Sequence, residues 1–310
     1  MHTCKVTIGS VFGFALLVLT SSCGGSGNMG GGGASSTFVP GKWSFGLFSS
    51  SSNLLGPTAE LDMNLNQSGD TISSDNLGSV DSVSCAGMHL DSSTGTVSGD
   101  KINLVFSIDS EKITLDATLA PGGTAVGETN LGSWSAGDGP CLGGQHGIFN
   151  ASLIPSLTGT STGMLSLANI NSVPSVTAML AEDSNFNISG SMAVTDDPCF
   201  SSLAISPTNL GMSVGSLSSF EMTDGTNLAD VTGQMFIESP PPSLFNAQFN
   251  VISGCTEEFG GLTLNVNGDD APATTQARTP STGNVSAPKI NPLLVERMKS
   301  LLAARRRNEQ

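Results

Sequence analysis

The feature that most constrains this chain is a two-residue period in its apolar side chains, repeated between short clusters of turn-forming residues. Apolar and polar residues alternate in many stretches, and Gly, Asp, Asn, Ser or Pro separates one stretch from the next. Clear examples are Trp43 to Leu47, Leu61 to Leu65, Ile102 to Ile108, Ile113 to Leu119, and Phe245 to Val251. Alternation of this kind is typical of strands with one buried face. The sequence therefore predicts an all-β body.

The predicted strands fall into two groups, 37–156 and 157–268, with about eight short strands in each. Tight turns such as Ser98-Gly99-Asp100 and Asp109-Ser110 join neighbouring strands, and the segment 101–120 is the clearest hairpin. Pro240-Pro241-Pro242 is predicted as a connection, because proline cannot donate to a strand ladder. We expect two tandem antiparallel meanders, each a small barrel or a sandwich.

Four cysteines lie in this body, at Cys85, Cys141, Cys199 and Cys255. The first two are 56 positions apart and so are the last two. Four cysteines allow three pairings, and the repeated spacing favours Cys85 with Cys141 and Cys199 with Cys255. It also suggests a duplicated unit with an offset of 114 residues (199 − 85). The alternative is that the equal spacing is a coincidence.

The formal charge is distributed unevenly along the chain. Between 37 and 270 there are 24 acidic residues and three lysines, a net charge of −21, whereas 271–310 carries +5. An acidic body repels phosphate backbones, so we expect no nucleic-acid partner for it.

The N-terminal segment has the pattern of an export signal. Lys5 precedes an apolar run, Val6 to Leu19, and small residues follow up to Cys23. The run is shorter than the roughly 20 apolar residues that a membrane span needs. Residues 1–22 are therefore predicted to be a signal peptide.

Lys5, the apolar run and the closing Cys23 together resemble a bacterial lipoprotein signal. The resemblance implies that Cys23 becomes the first mature residue and carries the lipid, so that the membrane is a partner through this anchor. Gly24 follows the cysteine, and by the sorting habit of enteric bacteria this implies the outer membrane. Residues 23–36, rich in Gly and Ser, are predicted to be a flexible tether. The alternative is an ordinary secretory signal cut nearby, which leaves Cys23 as a free thiol.

The C-terminal segment is predicted to differ from the body. Residues 269–288, rich in Pro, Thr and Ala, read as a disordered linker. Residues 289–310 read as a short basic amphipathic helix, begun by Asn291-Pro292 and ended by Arg305 to Arg307. Such a helix could touch an anionic surface or partner, or dock on the acidic body. The alternative is a solvated helix whose charges complement its dipole.

Two segments match the G-x-S-x-G pattern of serine hydrolases, 159–163 and 211–215. Neither is in a strand-turn-helix context. A hydrolase of that type also needs a histidine after the serine in the chain, and the last histidine is His146. We therefore expect no catalytic serine.

The acidic doublets Asp196-Asp197, Glu257-Glu258 and Asp269-Asp270 are the remaining candidates for metal or acid-base chemistry. Carboxylate oxygens suit hard cations, but no calcium-loop motif accompanies them. His89 and His146 each stand alone. We predict no metal, no cofactor and no catalytic residue.

Gly41-Lys42-Trp43 resembles the G-x-W of the first lipocalin strand. That resemblance implies a barrel that holds a ligand, with Trp43 packed over one end. The alternative is that Trp43 is a core residue of an unrelated barrel.

These features predict a lipid-anchored protein of the cell envelope with a non-enzymatic binding or structural role. In its most specific form, one unit encloses a small apolar molecule, since an eight-stranded barrel has room for one. The alternative function is an enzyme that acts on polysaccharide or lipid through surface carboxylates. The sequence identifies neither the ligand nor a protein partner.

Overall fold

The computed structural model describes residues 38–266, apart from 51–56, 83, 86–87, 89, 128–129, 169–172, 198, 207–209, 238–242 and 255–258. All described residues belong to the unit Ala34–Gln310. The signal peptide, tether, linker and C-terminal helix predicted above lie outside the described residues, as do Cys23, His89, Cys255, Glu257-Glu258 and Asp269-Asp270.

The first barrel is built from nine strands, because β1 to β9 all belong to one antiparallel sheet. The strands are β1 Gly41–Ser49, β2 Ala59–Ser68, β3 Thr71–Asp81, β4 Leu90–Ser98, β5 Lys101–Ile108, β6 Glu111–Thr118, β7 Ala125–Val126, β8 Gly132–Ala136 and β9 His146–Leu153. Their order follows the chain, except that the short β7 shares one side of β9 with β8. The sheet closes because β9 also pairs with β1, with Trp43 opposite Leu153. The result is an up-and-down barrel with eight strand positions.

The second barrel uses the same plan. Its strands are β10 Gly159–Leu167, β11 Ser175–Glu182, β12 Asn187–Thr195, β13 Ser202–Ile205, β14 Gly211–Val214, β15 Leu217–Thr223, β16 Leu228–Phe236, β17 Ser243–Ser253 and β18 Phe259–Val266. The short strands β13 and β14 share one position between β12 and β15. Closure comes from β18, which pairs with β10. This barrel also has eight positions.

The predicted fold class is confirmed. The described residues form two closed antiparallel barrels in tandem and include no helix. Each unit is thus a barrel, not the sandwich that the sequence left open. The predicted hairpin at 101–120 is β5–β6, and its turn residues Asp109 and Ser110 have φ of 43° and 71°. Two successive positive φ values match the strand twist in a two-residue hairpin.

Large side chains fill the interior of the first barrel. Trp43, Phe45, Phe106 and Phe149 are completely buried. The Phe45 ring lies 5.5 Å from that of Phe106 and 6.2 Å from that of Phe149, centroid to centroid. These distances are typical of aromatic pairs in protein cores. The core position of Trp43 follows: its ring stacks on Phe38, and its indole N–H donates to the Val39 carbonyl at 3.0 Å.

The second interior is filled by four phenylalanines in two pairs. The rings of Phe200 and Phe249 are 5.6 Å apart, and those of Phe220 and Phe245 are 6.3 Å apart. Leucine, valine and methionine side chains from β10, β12, β15, β16 and β18 complete this core.

The predicted disulfide between Cys85 and Cys141 is confirmed. It links the β3–β4 connection to the β8–β9 connection, and both cysteines are buried. Nearby, the buried Glu111 carboxylate accepts the backbone N–H groups of Cys141 and Leu142 at 2.7 and 2.9 Å. Cys199 is also disulfide-bonded. Its predicted partner, Cys255, lies outside the described residues.

Candidate functional site

The second barrel packs against the outer wall of the first, and polar side chains line this contact. We call it the seam. Its residues are Lys42, Ser44, Glu60, Asp62 and Asn64 of the first barrel, and Glu182, Ser213 to Ser216 and Gln234 of the second. Strand β2 is buried on both faces as a result. Leu61, Met63 and Leu65 face the first core, while Asp62 and Asn64 face the other barrel.

The centre of the seam is the turn between β14 and β15, whose backbone is held by side chains of β2. Asn64 Nδ2 donates to the Ser213 carbonyl at 3.1 Å, and its Oδ1 accepts the Gly215 N–H at 3.1 Å. Asp62 Oδ1 accepts the Ser216 N–H at 2.7 Å. Gly215 has φ of +54°, and a Cβ there would lie 2.5 Å from Asp62 Cβ. Both conformation and contact therefore require glycine.

Two carboxyl groups lie side by side in this seam. Burial, and then the charge of Glu60, raise the pKa of Asp62 to about 8. Burial also raises the pKa of Glu60, and Asp81 on β3 adds to this effect. Hydrogen bonds to Glu60 Oε1 come from Ser44 Oγ at 2.9 Å and from Gln234 Nε2 at 3.2 Å. At neutral pH Asp62 is thus mostly protonated.

A buried ion pair forms the other part of the seam. Lys42 Nζ lies 2.8 Å from Glu182 Oε2, and the side chains are 4% and 3% exposed. Glu182 Oε2 also accepts the Leu157 N–H at 3.1 Å and the Ser156 hydroxyl at 3.3 Å. The other oxygen, Oε1, is buried without a hydrogen-bond partner. Burial lowers the pKa of Lys42, and Glu182 partly offsets this effect.

A cavity of about 260 Å³ opens beside this ion pair, and we call it the cleft. Its lining residues come from both barrels and the segment between them: Pro40, Gly41, Lys42, Leu153, Ile154, Ser156, Glu182, Asp183 and Phe186. Phe186 has φ of 60°, an uncommon conformation for an aromatic residue. Such strained residues concentrate at binding sites and switch regions.

A second cavity, of about 410 Å³, lies on the outer wall of the first barrel, and we call it the groove. Its polar lining comes mostly from β4, β5 and β6. Four of its side chains form two hydrogen bonds: Lys101 Nζ donates to Thr118 Oγ1 at 2.6 Å, and Asn103 Nδ2 donates to Asp116 Oδ1 at 2.7 Å. The two charged side chains that line the groove, Lys101 and Asp116, therefore already have partners.

The two G-x-S-x-G matches are strand and hairpin segments in the structure. Ser161 lies on β10 and is buried. Ser213 lies on β14, completely buried, with its hydroxyl 2.8 Å from that of Ser218. Neither serine precedes a helix in the part of the chain that the structure describes.

Among the described acidic candidates, Asp197 holds a loop together. Its Oδ1 accepts the N–H groups of Cys199 and Phe200 at 2.7 and 3.1 Å. His146 begins β9 and is exposed. Within the described ranges, no group of three or more His, Cys, Asp or Glu side chains could hold a metal ion. The same residues include no helix that is long and apolar enough to cross a membrane.

Sequence reasoning missed the seam. Glu60, Asp62 and Asn64 alternate with the apolar residues of β2, and this alternation does not show what covers their face of the strand. One signal was available: no charged residue occurs in 198–220, the segment that contains the central turn of the seam. A long uncharged stretch on a barrel surface indicates that another part of the protein covers it.

No protein-family model matches this sequence, and no curated protein matches it. Among solved structures, a DUF3598-family protein of unknown function from Nostoc punctiforme is similar, with 14% identity and a TM-score of 0.25. The match covers 74% of this chain and 96% of that one. At this identity and score the likeness carries no argument about function.

Proposed function

We propose that this chain is an exported, lipid-anchored envelope protein with a non-enzymatic binding or structural role. The observation that carries the proposal is the buried disulfide between Cys85 and Cys141, with Cys199 in a second disulfide. Structural disulfides persist in oxidising compartments outside the cytosol. This agrees with the export signal expected from residues 1–22.

The anchor in this proposal is a lipid on Cys23, and residues 24–36 are the tether between membrane and barrels. Several acyl chains on one cysteine are enough for stable attachment, whereas one chain alone gives marginal binding. The glycine after Cys23 favours the outer membrane. No enzyme or cofactor is part of this proposal.

The filled interiors favour binding at the outer surface over enclosure of a ligand. Aromatic rings occupy the first barrel, and neither the cleft nor the groove lies inside a barrel. The lipocalin resemblance at Gly41-Lys42-Trp43 is consistent with an eight-position up-and-down barrel. A small apolar ligand inside a barrel would require the ring pairs at Phe45 and Phe245 to separate.

A duplicated unit is also part of the proposal, since corresponding strands keep one offset. We add 114 to the first residue number of each main strand of the first barrel and compare the result with the strand starts of the second barrel. The two numbers differ by at most four residues for eight strand pairs: β1 and β10, β2 and β11, β3 and β12, β4 and β13, β5 and β15, β6 and β16, β8 and β17, and β9 and β18. The same offset relates Cys85 to Cys199. Unrelated barrels would not be expected to keep both the strand and the cysteine offset.

An enzyme acting on polysaccharide or lipid remains the alternative, and the described carboxylates give it less support. Asp197 is engaged by backbone N–H groups. The close pair Glu60 and Asp62 faces the second barrel, which contacts it through Gln234 and Ser216.

The mass of the mature N-terminal peptide tests the proposal. We expect a peptide that begins at Cys23 and carries added acyl mass, together with peptides around Cys85 and Cys141 that separate only after reduction. Cys23→Ala should move the protein from the membrane fraction to the soluble fraction. A full-length cytoplasmic product with its signal uncut and its thiols free would refute the proposal.

A further inference from the structure

The cleft contains hydrogen-bonding capacity that the described contacts do not use. Glu182 Oε1 is buried and has no partner, while one described hydrogen bond uses one of the three N–H donors of Lys42 Nζ. Buried polar groups in folded proteins are nearly always satisfied, so an exception calls for a missing partner. The groove does not show this feature, because each of its charged side chains already has a polar partner: Lys101 bonds to Thr118, and Asp116 bonds to Asn103.

The size of the cleft indicates a partner larger than one water molecule. A water occupies roughly 30 Å³ in the liquid, and the cleft holds about 260 Å³. Leu153, Ile154 and the ring of Phe186 provide apolar walls next to the ion pair. A few placed polar groups beside an apolar wall are the usual composition of a small-molecule site.

Charge balance restricts the chemistry of the ligand. Lys42 and Glu182 neutralise each other, so a ligand with a net charge would bring an uncompensated charge into a buried site. The remaining acid of the cleft, Asp183, is already occupied: its carboxylate accepts the N–H groups of Asn185 and Asn187 at 2.8 and 2.9 Å. A donor is needed for Glu182 Oε1 and an acceptor for Lys42 Nζ.

We propose that the cleft binds a free amino acid with an apolar side chain. Its ammonium group donates to Glu182 Oε1, its carboxylate accepts from Lys42 Nζ, and its side chain packs against Phe186. The proposal deepens the binding role given above and rests on it, because export is what exposes the cleft to amino acids outside the cytosol.

Calorimetric titration of the full-length chain in detergent with free leucine and free glycine tests the site. We expect leucine to bind at millimolar concentrations or below, and more tightly than glycine. Glu182→Gln should weaken leucine binding about tenfold, because an amide replaces a charged acceptor. Lys112→Met, which removes an exposed lysine elsewhere, should leave binding unchanged.

The variant Phe186→Gly distinguishes a loss of leucine binding at the cleft from a loss of binding caused by poor folding. Glycine relieves the positive φ of this position, so the variant should fold, yet it removes the apolar wall. Leucine binding should fall about tenfold while glycine binding changes little. Failure of leucine to bind the wild-type chain, or equal binding by wild type and Phe186→Gly, would overturn the proposal. These results do not depend on the lipid and disulfide masses, so the two proposals fail separately.

Discussion

Asp62 on the second strand accepts the backbone N–H of Ser216 at 2.7 Å, although 154 residues separate them in the chain. This contact joins a side chain of one barrel to the turn of the other. Since Asp62 is buried and lies beside Glu60, its carboxyl group is stable there mainly in the protonated form. The stability of the seam therefore depends on protonation of the Asp62 carboxyl group.

Asp62→Asn should remove most of a pH dependence of stability. The pKa of Asp62 is raised from 3.8 to about 8, so its contribution is complete below pH 4 and is lost as the pH rises towards 8. Asparagine still accepts the Ser216 N–H and does not ionise. Urea unfolding from pH 4 to 9 should show a steeper loss in wild type than in the variant.

Asp138→Asn is the control for that measurement, because Asp138 is exposed. Its pH profile should follow that of the wild type. Parallel profiles for wild type and Asp62→Asn would contradict a protonated Asp62 in the seam.

Gly215→Ala should destabilise the protein more than Gly69→Ala. The two glycines have similar φ, +54° and +60°, so both substitutions introduce the same backbone strain, about 1–2 kcal/mol. Only at Gly215 would the new Cβ meet another atom, Asp62 Cβ at 2.5 Å; around Gly69 there is open space. Thermal unfolding of both variants measures the difference. If Gly215→Ala and Gly69→Ala lowered the stability equally, the close contact between residue 215 and Asp62 would contribute nothing to stability.

Lys42→Met should lower the free energy of unfolding by about 3–5 kcal/mol, because it leaves the buried Glu182 carboxylate without its cation. Lys42→Met combined with Glu182→Gln removes both charges and keeps an acceptor for the Leu157 N–H. We expect the double variant to recover much of the loss. A double variant as unstable as the single one would show that the lysine stem, and not its charge, is what matters.

Replacement of both Cys85 and Cys141 by Ala should lower the free energy of unfolding by about 4 kcal/mol in the chain-entropy model, since the bridge closes a loop of 56 residues. Denaturant unfolding of the variant and the wild type measures the change. Mapping of disulfide-linked peptides also tests the second pairing, and we expect a peptide with Cys199 linked to Cys255. A link from Cys199 to any other cysteine would contradict the duplicated spacing.

The strands could be predicted from sequence because burial inside a barrel imposes a period of two on every strand. Phe45 and Leu61 keep that period, and Asp109-Ser110 gave the turn of a hairpin. The first disulfide followed from a repeated spacing. The seam could not be predicted, because the alternation distinguishes residues that face the barrel core from residues that face away from it. It does not show what covers the outer face of the barrel. Asp62 has the pattern of a solvated residue and is completely buried.

Closure of both barrels also limits how this protein can associate. The first and last full strands pair with each other, β1 with β9 and β10 with β18, so neither described sheet has a free edge where its first and last strands meet. Recruitment by strand addition, and growth into fibrils from a sheet edge, both need such an edge. Where the first and last strands meet, contacts with other molecules must therefore be made by side chains and turns.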